Sequence, residues 1–332
     1  MKTSPPTGSS IRKAAGIAAG VGAAAMAAAL GLYLPYRTAF RSPLRGQNDI
    51  YRLPEGDQYL PRAAEMREMI RRMAAEPCER VCILSRDGLR LRGRLYLRGG
   101  RDAPVDLCFH GWRAAGLRDF SGGGLFLLGE GHNVLLVDQR AQGESEGRTM
   151  TFGVLERWDC LDWVRYIRTR PELRGPVTLY GVSMGAATVL LASALPLPEE
   201  VRCIIADSPY SSPEAILGKV SRDMGLPERP ALALLRGGAG LYGGFRFAGV
   251  SCAEAVKHAR APILLIHGEE DRFVPLEMSR EIAAANPKMV RLVTFPEAGH
   301  GLSYLTDTER YQHEVSQFCL QAQKTDSMIW YK

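Results

Sequence analysis

The chain lacks the short signatures of a metal or redox centre. Its six histidines show no paired ligand spacing such as H-E-x-x-H, and its seven cysteines form no C-x-x-C. A metal site is therefore not expected. The cysteine number is odd, and Cys108 and Cys203 sit inside apolar runs. That pattern suits small core residues better than a disulfide framework and leans towards a reducing compartment. No internal repeat of solenoid period is present. Nor is there a basic cluster interleaved with aromatics, which argues against nucleic acid as a partner. With 46% hydrophobic and 23% charged residues over 332 positions, disordered and fibrous classes are excluded, and the chain can bury one large core or two modest ones.

What is there begins with an uneven charge. The formal net charge is +6, yet residues 1–101 hold 18 Lys and Arg against 8 Asp and Glu, whereas the remainder holds 24 against 28. The basic excess flanks an apolar run, residues 14–34, which contains ten Ala and four Gly and no charge over 21 positions. As a helix it would span roughly 31 Å, enough for a hydrocarbon core of about 30 Å. Residues 1–34 thus read as a tail and a membrane-anchor helix, with a secretory signal cleaved in the small-residue region as the alternative. Lys2, Arg12 and Lys13 on one flank match Arg37, Arg41 and Arg45 on the other. The positive-inside rule therefore gives no side of the membrane. Gly16 and Gly20 match a GxxxG pattern that chance explains in such a run.

Residues 35–75 read as a juxtamembrane linker, rich in proline and arginine to residue 60, followed by a helix over 61–74. From residue 76 to 325 the pattern is that of one domain. The runs V-C-I-L-S-R and L-R-L-R-G-R-L-Y-L flank Asp87-Gly88 and predict an antiparallel edge hairpin. Apolar strands follow at 105–109, 133–138, 176–180, 201–207, 262–267 and 290–295. Helices are expected near 121–129, 154–169, 185–194, 251–258, 277–285 and 303–322. Near-continuous apolar strands separated by helices predict an α/β fold, a mostly parallel central sheet covered on both faces. Its chemistry gathers at the carboxyl ends of the strands. Residues 211–250 interrupt the alternation and are expected to form a small cap over those ends.

The run Gly181-Val182-Ser183-Met184-Gly185 fits G-x-S-x-G between a strand and a helix. A turn that lifts one side chain off a strand end crowds its neighbours, so the positions two before and two after must be nearly free of side chain. Ser183 is therefore the candidate nucleophile; a helix N-cap serine is the bland alternative. His300, in the glycine-flanked loop Ala298-Gly299-His300-Gly301, is the candidate base. His110, His132, His258, His267 and His313 fit structural or surface roles better. Among Glu269, Glu270 and Asp271 the short side chain of Asp271 is favoured as the orienting acid, with Asp207 as an outside candidate. An oxyanion needs main-chain donors. They are assigned to Met184, after the nucleophile, and to Trp112 in Phe109-His110-Gly111-Trp112, where a pocket-wall role is also open.

These motifs, in the order Ser, Asp, His, resemble the α/β-hydrolase superfamily, with a pattern closest to its bacterial serine esterase, lysophospholipase-like and serine-aminopeptidase-like branch. The likeness runs from residue 80 to residue 325 and includes A-D-S-P-Y, G-E-E-D-R-F-V-P and V-D-Q-R-A-Q-G-E-S-E-G. In the last of these Ala141 stands where the family commonly has glycine. The resemblance implies hydrolysis through an acyl-enzyme, with no cofactor and no metal, and a small-molecule ester as substrate. An aminopeptidase or amidase would need an acidic pocket, for which Glu214, Asp223 and Glu228 are the visible candidates. An acyltransferase shares the same acyl-enzyme, and a non-catalytic membrane-tethered binding module is the rival from another class.

Overall fold

The computed structural model of the chain describes residues 26, 29–42, 51, 53, 54 and 56–324. Eight strands form one sheet: β1 (Glu79–Leu84), β2 (Arg90–Tyr96), β3 (Val105–Phe109), β4 (Asn133–Val137), β5 (Val177–Val182), β6 (Val201–Asp207), β7 (Ile263–Gly268) and β8 (Val290–Phe295). Their order is β1-β2-β4-β3-β5-β6-β7-β8. The β1–β2 and β2–β4 pairs are antiparallel and every other pair is parallel. The hairpin turns at Gly88, whose φ of 84° suits a residue without Cβ. Of this hairpin only β1 lies at an edge of the sheet; β2, also expected there, lies between β1 and β4.

The twofold alternation along these strands explains why the sheet is covered on both sides. Leu107, Leu135, Ile204 and Leu265 point into one apolar cluster, and their neighbours Cys108, Leu136, Ile205 and Leu264 into the other. Among the described residues, twelve α-helices complete the fold, beginning with α1 over residues 29–39. Next come α2 (Ala63–Ala75), α3 (Gly116–Asp119), α4 (Ser121–Gly129), α5 (Glu156–Thr169) and α6 (Met184–Ala192). The remainder are α7 (Pro213–Asp223), α8 (Glu228–Gly238), α9 (Cys252–Val256), α10 (Leu276–Ala285), α11 (Ser303–Thr306) and α12 (Thr308–Lys324). The first cluster takes Trp163 and Val164 of α5, Val256 of α9 and Ile282 of α10. The second takes Met73 of α2, Leu127 of α4 and Phe318 of α12. All nine residues of α6 are buried, as expected for a helix that is apolar all round.

Before the sheet, the chain is docked rather than free. Residues 14–25, 27 and 28 of the expected anchor lie outside the described residues. Among those described, no helix is long and apolar enough to cross a membrane. The last residues of the run enter α1; its Tyr36, and Phe40 just after it, are buried. Phe40 packs edge-on against Phe152 and Phe245, with centroids at 5.5 and 5.2 Å. The Tyr36 hydroxyl shares a hydrogen bond with Thr149 at 2.7 Å, and Met150 N–H donates to Phe40 C=O at 2.8 Å. The linker reading of residues 35–60 is thus corrected at residues 35–42 by aromatic packing and backbone pairing. A 3₁₀ turn, Asp57–Arg62, precedes α2. The insertion at 211–250 supplies α7, α8 and the π-turn Ala239–Gly243. It packs on α1, with Tyr242 against both Tyr33 and Tyr36.

The loop after β4 keeps the backbone that glycine would favour, although alanine occupies it. Ala141 has φ 64°, a conformation that costs an alanine roughly 1–2 kcal/mol. Its neighbours hold it there. Ala141 N–H donates to Glu146 C=O at 2.8 Å. The Arg140 guanidinium grips Asp159 with two bonds of 2.6 Å and reaches Asp87 at 2.8 Å. Arg140 and Asp159 are both buried, so removing one partner strands the other charge. Arg140→Met is expected to lower unfolding free energy by about 3–5 kcal/mol in a urea titration. A loss below about 1 kcal/mol would mean that the pair is not held as described.

Candidate active site

Ser183 sits on the turn from β5 to α6 with φ 55° and ψ −114°, a strained region for a residue with a side chain. The two glycines make the turn possible. A Cβ on Gly181 would lie 2.2 Å from Gly185 O, and one on Gly185 would lie 1.8 Å from Phe109 O. Ser183 N–H donates to Asp207 C=O at 2.8 Å, which ties the turn to the end of β6.

His300 and Asp271 meet this serine. Ser183 Oγ lies 2.9 Å from His300 Nε2, and His300 Nδ1 lies 2.7 Å from Asp271 Oδ2. With Asp271 as a carboxylate, Nδ1 carries the proton and Nε2 accepts from the serine hydroxyl. Asp271 Oδ1 accepts Phe273 N–H at 2.9 Å and Val274 N–H at 2.8 Å. The fully buried His267 brings Nε2 to 3.3 Å from Oδ2; its Nδ1 meets Ser279 Oγ at 2.7 Å. Burial alone would raise the Asp271 carboxyl. The bonds from His267, His300 and the Val274 N–H outweigh it and hold the group well below the usual carboxylate range. Asp207 binds the Tyr311 and Ser208 hydroxyls, both at 2.9 Å, and hydrogen-bonds neither imidazole. Glu269 takes a bond from Thr294 and Glu270 faces Arg272 at the surface. His132 pairs with Asp106, and His258 and His313 are exposed.

The expected oxyanion donors belong to the residue that follows the serine and to one that lines the same cavity. Met184 opens α6, where N–H groups have no partner within the helix. Neither its N–H nor that of Trp112 has an acceptor among the described residues. The orientation of the Trp112 N–H follows from peptide planarity. His110 Nδ1 lies 2.8 Å from Gly111 C=O, and in a trans peptide that carbonyl points opposite to the Trp112 N–H. His110 Nε2 accepts Gln139 N–H at 3.0 Å, so Nδ1 carries the ring proton. Burial pushes this imidazole down despite the nearby Asp138 and Asp119, which keeps it neutral. Gly111 N–H donates to Asp119 Oδ2 at 2.8 Å, and Arg118 Nε binds Oδ1 at 2.8 Å. His110, Asp119 and His267 were not read from the sequence as parts of the site. Two of them shared one signal: each histidine stands at a strand end directly before a glycine.

Ser183 and His300 open on a cavity of about 540 Å³. No residue of the 211–250 insertion lines it, which corrects the expectation of a cap over the site; α1 takes up the insertion instead. Part of the wall comes instead from Leu53, Pro54, Gln58, Tyr59, Met66 and Met69. The 3₁₀ turn is fastened to the backbone of the histidine itself. Tyr59 O–H donates to His300 C=O at 3.0 Å, and His300 N–H donates to Gln58 Oε1 at 3.2 Å. Burial, with Asp271 and Asp119 nearby, raises the Tyr59 phenol, so it stays a donor.

A sheet of this order, a strained serine on the β5–α6 turn and a histidine after the last strand define an α/β-hydrolase. The model of the alpha/beta hydrolase family matches residues 107–315. The chain belongs to that family and is an enzyme of the hydrolase class. It is similar to the uncharacterized protein YqkD of Bacillus subtilis, 28% identical over 189 residues, which cover 57% of this chain and 62% of that protein. The chain thus spans less than two thirds of that relative's length. It is also similar to the bifunctional esterase/perhydrolase DCH of Acinetobacter calcoaceticus, 24% identical over 66% of this chain and 93% of that protein. Among solved structures, the Pyrococcus furiosus esterase Pf2001 aligns with TM-score 0.63 and 22% identity, covering 85% of this chain and 98% of that one.

The depressed Asp271 carboxyl gives a test by acidification. Its folded value lies below its unfolded one, so its contribution to stability is complete above about pH 4 and is withdrawn below that. Asp271→Asn should be less stable than wild type near neutral pH, and the gap should close as the pH falls from about 5 to 2. Urea titrations across that range would contradict this with a constant gap.

Proposed function

We propose that this enzyme hydrolyses carboxylic esters, with lipid-like or other small acyl chains, through an acyl-enzyme on Ser183. The observation that carries the reading is the chain of short hydrogen bonds Ser183–His300–Asp271 ending at the cavity. Ser183 Oγ attacks the ester carbonyl while His300 Nε2 takes its proton. The tetrahedral oxyanion is received by the Met184 and Trp112 N–H groups, each worth about 10² to 10³ in rate. Collapse expels the alcohol, which leaves with the proton from His300. Water then repeats the sequence and frees the acid. Asp271 fixes the tautomer and faces the imidazolium as it forms.

The esterase names among similar proteins support the ester reading. An amidase or aminopeptidase is less well supported. Glu214, Asp223 and Glu228 pair with Arg236, Lys219 and Arg222, and none lines the cavity. Attachment to a membrane through residues 14–34 is a separate proposal, supported by the length of that uncharged run. Release of the full chain from membranes by carbonate would refute it.

Wild type should turn over p-nitrophenyl esters and be labelled by a fluorophosphonate. Ser183→Ala should take no label and lose at least about 10³ in kcat. Labelling of the alanine variant at the wild-type rate would refute Ser183 as the nucleophile.

A further inference from the structure

We propose that Met66 and Met69 of α2, together with Leu305 and the bare Gly123 of α4, bind the apolar chain of the substrate. The slot accepts a flexible chain along Met66 and Met69 on one side and the bare Gly123 on the other, beside the point where Met69 closes on Gly122. The inference deepens the ester-hydrolase reading and rests on it.

Two stripes on α2 carry the argument. Ile70 and Met73 are fully buried and anchor the helix, Met73 lying in the core cluster on the α4 side of the sheet. Met66 and Met69, one turn apart and therefore neighbours on the helix surface, are only half-buried and face the cavity. Methionine there is apolar, unbranched and adaptable, which suits a chain that must slide in rather than a rigid ring. The two facing glycines differ: Gly122 is where α2 and Tyr304 close on α4, and Gly123 is where the wall is open. A Cβ on Gly122 would lie 2.9 Å from Met69 Sδ and 2.7 Å from Tyr304 Cε1, so glycine lets these side chains close over the helix. A Cβ on Gly123 would meet nothing within 4 Å, although Gly123 lines the cavity.

Polarity is graded along the same cavity. Gln58, Arg118 and Asp119 gather towards the oxyanion loop and His300, whereas Met66, Met69 and Leu305 form an apolar arm. The bonds from Gln58 and Tyr59 to the His300 backbone set this wall in register with the reacting atoms. The insertion, by contrast, contributes no lining residue.

The chain could be the acyl or the alcohol part, and two substrate series separate them. p-Nitrophenyl esters from acetate to dodecanoate vary the acyl chain; acetates of methanol to dodecanol vary the alcohol. Met66→Trp and Gly123→Leu, on opposite walls, should each lower kcat/KM for the long members of one series by about tenfold or more relative to its shortest member. Fluorophosphonate labelling should be unchanged, which separates a narrowed slot from a damaged triad. Leu226→Ser and Leu234→Ser, on the exposed insertion, should leave the chain-length profile as in wild type. Profiles unmoved by both wall variants, or moved by the insertion variants instead, would overturn the inference alone. Labelled wild type that hydrolyses neither series would overturn the ester reading and this inference with it.

Discussion

The arrangement depends on one close approach of main chain to main chain. Where β5 turns into α6, Gly185 passes so near Phe109 that a methyl group in place of its hydrogen would lie 1.8 Å from the carbonyl oxygen. That approach brings the end of β3 beside the first turn of α6. The serine, the Met184 N–H and the loop carrying the Trp112 N–H are thereby fixed by the same contact. Preorganisation of this kind matters because donors that need not reorient during reaction lose nothing to reorganisation. The strain at Ser183 is sustained by a wholly buried helix on one side and by the bond to Asp207 on the other.

Around that contact, charge is managed by neutral or already satisfied groups. The single carboxylate on His300 is surrounded by donors from two histidines and two backbone amides. His110 and His267, each at a strand end, act on the site without facing it: one fixes a peptide plane and the other crowds an acid. Burial keeps His110 neutral, so it adds no field of its own. Arg118 and Asp119 bring opposite charges to the cavity as a pair, and the Gly111 N–H completes the carboxylate.

Much of this was legible because the sheet is parallel and dry. Strands buried on both faces read as short, near-continuous apolar runs, and the expected strands 105–109 and 201–207 coincide with β3 and β6, as 290–295 does with the edge strand β8. The β5–α6 turn was legible for a steric reason, since only glycine fits two of its positions. The cavity wall was not. Gln58 and Tyr59 bond to backbone atoms of His300, and a backbone partner leaves no trace in residue identity. Prolines and arginines hid the docked character of residues 35–42, which is held by aromatic stacking and a bridge between Arg41 and Thr149. The insertion was placed over the site because it interrupts the chain just after a strand end, but α1, invisible to that reasoning, occupies its inner face. Among the candidate residues, the structure brings Ser183, His300 and Asp271 into one bonded row and leaves Asp207 beside it.

The same α1 has a mechanical meaning. Trp112 Nε1–H donates to Ala39 C=O at 3.0 Å, and Arg113, stacked over the indole at 4.2 Å, donates to Thr38 C=O at 2.8 Å. Trp112, the proposed oxyanion donor, is therefore moored to the last turn of α1. A displacement of Thr38 or Ala39 is therefore passed to the loop after β3 through two hydrogen bonds, without crossing the sheet.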